Sequence, residues 1–180
     1  MEEIWDIYDA DRRKTGRILL RRDARNLKDG EFHLASFIYV LRPDGRFLIT
    51  KRSPEKKTFP NMWEIPHGAV QSGETTLDTA VREGFEECGI VLQRENAEFI
   101  SEHRGGRLIS DKWLFRQDFI LSDIVLQEGE TCDARICTAD EILTLIRSGD
   151  MQAYVYEDIQ KILSGLSWGR GRLPLSETGD

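Results

Sequence analysis

The stretch GAVQSGETTLDTAVREGFEECGI, residues 68–90, gathers Glu74, Glu83, Glu86 and Glu87 around one arginine, Arg82. On a helix advancing about 100° per residue, Glu83, Glu86 and Glu87 leave the same sector, roughly 100° wide. Arg82 precedes Glu86 by one turn and can brace it. A neighbouring face carries Leu77, Ala80, Val81, Gly84 and Cys88, which suits packing against a sheet. A Glu-rich helix face is ordinarily a solvated one. Yet like charges one turn apart weaken an isolated helix by about 0.2–0.5 kcal/mol per pair, and more where the local dielectric is low. A hard divalent cation removes that repulsion, and Mg²⁺ favours a few carboxylates completed by water and substrate phosphates.

The surrounding spacing is more specific than the triplet. Gly68, five residues, Glu74, seven residues, Arg82-Glu83, two residues, Glu86-Glu87, one residue, Gly89 and then aliphatic Ile90 form one pattern. At ordinary residue frequencies its seven fixed letters coincide by chance in about one window per 10⁸, so chance is set aside. The pattern resembles the signature of the Nudix hydrolase family. It departs at Gly84, where the family carries a bulky aliphatic residue; either Phe85 leans across to fill the space or another element packs unusually close.

The resemblance implies an α/β fold, an α/β/α sandwich with a mixed β-sheet between helices. It implies hydrolysis by water of a diphosphate linkage in a small molecule, such as a nucleoside diphosphate joined to another moiety, with Mg²⁺ or Mn²⁺. Carried over by position, Glu86 and Glu87 become the principal metal ligands. Glu83 joins a further ion or assists the water, and the Gly68 carbonyl enters the metal shell. Arg82 orients the carboxylates, and Glu74 ties the loop to the helix. The general base varies within the family. Glu83 is one candidate, and the acidic loop offers Glu128, Glu130 and Asp133, with Glu130 favoured by its place before a late strand.

WDIYD, KDGEFHLASF and KRSPEKKTFPNMW look like the branch containing type-1 isopentenyl-diphosphate isomerase. Basic residues of that isomerase's loop grip the diphosphate; Arg52 and Lys56 match them, and Lys51 is adjacent. Arg and Lys suit charge-assisted contacts to phosphate oxygens. The isomerase's cysteine is missing, because Trp63 is followed by EIPHGAV. His33 matches one histidine ligand of the isomerase but lacks its companions and reads as a strand residue. An isomerase-like enzyme and a non-catalytic diphosphate sensor therefore stand as alternatives to the hydrolase.

The elements that must position these groups are legible in outline. IWDIYD and GRILLRR suggest a short hairpin within an N-terminal extension, residues 1–32, packed on the main domain, 33–166. HLASFIYVL and RFLITKR read as strands joined at Pro43-Asp44-Gly45, a hairpin signal. SPEKKTFPNMW reads as a loop, WEIP as a short strand, and Gly68 to Gly73 as another loop. The helix is expected to start at Thr75 or Thr76 and stop at Gly89. KWLFRQDFIL is β-rich, His103 to Arg107 reads as a basic loop, a helix carries Ile142, Leu143, Leu145 and Ile146, and YVYEDIQKILSGL forms a last helix. Residues 167–180 read as a flexible tail. Trp63, Trp113, Phe115, Tyr154 and Tyr156 are aromatics that could stack on a base or fill the core.

Composition sets the outer bounds. The 180 residues are 39% apolar, enough for one sizeable core. A net charge of −7 argues against a nucleic-acid binder. The longest apolar run, around Phe37 to Leu41, is far too short to span a membrane. The acidic start is unlike a signal peptide. Three cysteines without a CxxC pair fit free thiols in a reducing compartment, so a cytoplasmic protein is expected, with a homodimer allowed.

Overall fold

The computed structural model describes residues 2–168. Strands β1 (Ile4–Tyr8) and β2 (Lys14–Leu20) form the expected antiparallel N-terminal hairpin. Its edge joins the rest of the chain through reciprocal bonds between Tyr8 and Phe32, at 2.9 and 2.8 Å. It is also held by Asp6, which accepts from Ser72 Oγ at 2.9 Å and Gly73 N at 3.0 Å.

A seven-stranded mixed sheet is built on β3 (His33–Leu41), β4 (Phe47–Arg52), β5 (Trp63–Glu64), β6 (His67–Ala69), β7 (Ala97–Gly105), β8 (Leu108–Arg116) and β9 (Thr131–Cys137). β3 and β8 run parallel, and the other pairings are antiparallel. Successive strand side chains point to opposite faces. Ile38 and Val40 thus join the core under α1 (Thr76–Cys88), while Tyr39 and Leu41 join the core under α2 (Ala139–Ser148) and α3 (Val155–Trp168). Both faces are covered, which is why HLASFIYVL reads as an almost unbroken apolar run. This is the helix–sheet–helix sandwich that the sequence resemblance implied.

The β3–β4 hairpin differs from a simple one. Its strands pair only at Leu41↔Phe47 and then part. β5 pairs with β4 on one side of the gap, and β6 pairs with β3 on the other. Ile65-Pro66 carries the chain across, with the Pro66 carbonyl accepting from Ile38 N at 2.9 Å. Gly68 therefore lies in the parted sheet, where a loop was expected.

α1 begins and ends where its sequence signals stand. Thr75 is the N-cap, forming a capping box with Asp78, and Gly89 closes the helix in the left-handed conformation. Leu92 rather than Phe85 occupies the space beside Gly84: Phe85 is exposed, and a Cβ on Gly84 would meet Leu92 Cδ1 at 2.5 Å. The basic stretch expected to be a loop runs instead as strand from His103 to Gly105, turning only at Gly106-Arg107. That edge strand is mostly exposed and polar, which hid it. The segment expected to be a tail lies outside the described residues, apart from its first two positions, which end α3.

Candidate active site

Arg82 is the hub of the glutamate helix. Its Nε and Nη2 reach Glu74 at 2.7 and 3.0 Å, and Nη2 also reaches the Ala69 carbonyl at 3.1 Å. Its Nη1 reaches Glu83 at 2.6 Å and Glu86 at 3.0 Å. One guanidinium thus fixes the loop, β6 and two carboxylates together. Glu74 accepts further bonds from Thr79 Oγ1 and Gln71 N, at 2.8 and 3.1 Å. Burial works to raise its pKa, but Arg82 and these donors outweigh it and hold Glu74 below its ordinary value.

Glu83 and Glu87 respond in the opposite direction. Burial pushes the Glu83 carboxyl up to about 7; Arg82 partly offsets this, and the charges of Glu86 and Glu3 add to it. Glu87 is 7% exposed and is pushed well above the ordinary carboxylate value, first by burial and then by Glu83, Glu64 and Glu130. One of its oxygens, Oε2, is buried without a partner. Glu83 lies directly over Gly68, where a Cβ would stand 2.0 Å from its carboxyl carbon. Only glycine lets strand and carboxylate approach so closely. Glu86 is the open member of the set, 45% exposed.

These groups line a cleft of about 350 Å³, with Arg52, Lys56 and Glu130 along its far wall. One terminal nitrogen of Arg52 lies 2.9 and 3.0 Å from the two oxygens of buried Glu64, while Nε donates to the Thr58 carbonyl at 3.0 Å. Lys56 is ion-paired with Glu130. Lys51, expected beside them, is not on this wall. As the neighbour of Arg52 along β4 it points to the other face, where its ammonium lies 5.7 Å from the Trp63 ring centre.

The third wall comes from the N-terminal hairpin and the residues on either side of it, through Glu3, Trp5 and Arg21. Trp5 stacks on His33 at 4.3 Å, and Phe37 stacks on His67 at 4.9 Å, all four in the same cleft. Burial lowers the pKa of both histidines. His67 Nδ1 faces the Ile65 carbonyl at 3.1 Å, an acceptor only, so that nitrogen carries the proton. Sequence reasoning singled out other aromatics. Trp63 and Phe115 are core, and Trp113 packs on Phe99. Trp5 and Phe37 were missed as cleft residues, and Glu64 as the buried partner of Arg52; for Trp5 the only signal was the WDIYD resemblance.

Among the described residues no three carboxylate, imidazole or thiol groups close into a cage of metal ligands. The set fits a hydrated cation better than a fully enclosed one. A buried orphan oxygen on Glu87, two carboxyls destabilised by burial and mutual charge, and the open Glu86 leave positions for water and phosphate oxygens.

Comparison with known proteins bears on the family and the fold. The NUDIX domain model matches residues 31–158. An uncharacterised Nudix hydrolase of Listeria monocytogenes is 33% identical over 157 residues, covering 87% of this chain and 91% of the relative. The isopentenyl-diphosphate Delta-isomerase of Corynebacterium glutamicum is 38% identical over 64 residues, about a third of each chain (35% and 34%), in keeping with the branch resemblance. Among solved structures, DR0079 of Deinococcus radiodurans superposes with a TM-score of 0.71 at 21% identity, over 88% of this chain and 98% of that one, and shares the fold. The domain match across most of the sequence and the near full-length relative make this chain a member of the Nudix hydrolase family.

Proposed function

We propose that the protein is a divalent-metal-dependent pyrophosphohydrolase, using Mg²⁺ or Mn²⁺ to cleave a diphosphate linkage in a small molecule. Glu86, Glu87, Glu83 and the Gly68 carbonyl would hold the cation, which when bound neutralises phosphate charge and acidifies water. Arg52 and Lys56 grip the diphosphate; the second terminal nitrogen of Arg52 has no protein partner among the described residues and suits a phosphate oxygen. Arg82 keeps Glu83 and Glu86 in position. Glu130 takes the proton from the attacking water, whose oxygen bonds to phosphorus while the bridging P–O bond breaks and the electron pair leaves with the departing group. Glu83 is less suited to that role, being pinned by Arg82 over Gly68.

The observation that carries this reading is the unpartnered, buried oxygen of Glu87 in a cleft that Arg52 and Lys56 also line. Product release should be measured with Mg²⁺ over nucleoside diphosphate sugars, dinucleoside polyphosphates, nucleoside triphosphates and isopentenyl diphosphate. Glu87→Gln is expected to lose turnover by several orders of magnitude. Isomerised isopentenyl diphosphate, or tight binding with every compound intact, would overturn the hydrolase reading.

A further inference from the structure

Arg52, Lys56 and Glu130 line the far wall of the cleft, and the two carboxylate–cation pairs they belong to are built differently. Arg52–Glu64 is buried on both sides, with side chains 12% and 6% exposed. Lys56–Glu130 opens to the cleft, with Glu130 39% exposed. Both backbones of the second pair are tied to one residue: Ser53 N donates to the Glu130 carbonyl at 2.9 Å, and Lys56 N donates to the Ser53 carbonyl at 3.1 Å. The Glu130 loop is further held to α1, because Thr131 Oγ1 donates to the Glu87 carbonyl at 3.3 Å. The two side chains therefore rise from a shared, fixed base and meet across it.

We infer that seating of a diphosphate exchanges the partner of Lys56, from Glu130 to phosphate, and that this exchange frees Glu130 to act on water. The inference rests on the proposed pyrophosphohydrolase reading. A diphosphate offers several anionic oxygens to the ammonium where Glu130 offers one carboxylate, and a lysine ammonium is a compact charge that re-partners without a fixed fork geometry. A carboxylate engaged by an ammonium has fewer lone pairs for a water proton, and its charge repels an incoming phosphate until it turns away. Arg52 needs no such exchange, since Glu64 holds one of its terminal nitrogens and leaves the other open. Lys56 thereby acts twice, as a phosphate ligand and as the keeper of Glu130 while the cleft is empty.

Binding of methylene diphosphonate in the presence of Mg²⁺, by calorimetry, tests the exchange with wild type, Glu130→Gln, Lys56→Met and the double variant. Glu130→Gln should bind about 2- to 5-fold more tightly than wild type, the worth of a partly exposed ion pair that no longer has to break. Lys56→Met should bind about 10-fold more weakly. In the Lys56→Met background, Glu130→Gln should change affinity little. Equal or weaker binding by Glu130→Gln overturns the exchange. So does a gain that persists without Lys56, which would be general repulsion by Glu130. Failure of wild type to bind the diphosphonate at all would overturn the pyrophosphohydrolase reading with it, whereas normal binding without coupling removes the exchange alone.

Discussion

Burial sets the protonation of Glu83 before any ligand arrives. Its folded pKa of about 7 lies above the ordinary 4.5, so between those values the folded chain holds a proton that the unfolded chain has lost. That contribution to stability is full in acid and disappears as pH rises through about 7. His33 and His67, shifted down by burial, act in the opposite sense, so the comparison must be with Glu83→Gln. In metal-free protein the variant should melt close to wild type at pH 4.5 and progressively above it toward pH 8, with Mg²⁺ closing the gap by raising wild type. A melting difference that stays flat with pH would refute the assignment. At this scale the sequence was most informative where spacing is local. Arg82, Glu83, Glu86 and Glu87 share one helix, and helical geometry alone brings them together. Lys51 shows the limit, because adjacency in a strand means opposite faces. Glu64 escaped notice since its partner Arg52 is twelve positions away and meets it only through strand pairing.

Elements with their own punctuation were readable; those defined by neighbours were not. The capping box of Thr75 and Asp78 and the glycine at 89 delimit α1 without help from the rest of the chain. β6 is three residues long and half-buried throughout, and it exists because β3 and β4 part and leave a place for it. Gly84 belongs to this scale as well. Alanine there would gain about 1 kcal/mol of helix propensity. Its Cβ, however, would meet Leu92 Cδ1 at 2.5 Å, and Leu92 is itself buried in the α1 core. Overpacking costs about 1–3 kcal/mol. Gly84→Ala is therefore expected to destabilise by about 1 kcal/mol in urea denaturation and to lower kcat by displacing α1 from Gly68. A stabilised variant with unchanged kcat would show that the contact relaxes freely.

Across the whole molecule, the face opposite α1 is tied by one buried ionic cluster. Lys112 of β8 meets Asp158 of α3 at 2.6 Å, and the Tyr39 hydroxyl of β3 donates to the same carboxylate. Asp158 Oδ1 is already buried without a partner. Lys112→Met leaves that charge uncompensated and should cost about 3–5 kcal/mol by chemical denaturation. Replacing Asp158 with leucine in the same protein should recover most of the loss, and a single-variant loss below about 1 kcal/mol would contradict the picture. The N-terminal hairpin has a charged tie of its own: Arg12 in its turn meets both oxygens of buried Asp111 on β8, at 2.7 and 2.8 Å. Asp6, the Ile4 carbonyl and the Tyr8–Phe32 bridge add to this, ahead of a domain match that starts at residue 31, and the hairpin places Trp5 over His33 in the cleft. The cleft therefore has walls of separate origin: α1 and β6 bring the glutamates and Gly68, and the opening ribbon of the chain brings Trp5. A substitution at Trp5 would reshape the mouth of the cleft and leave the carboxylates of α1 where they stand.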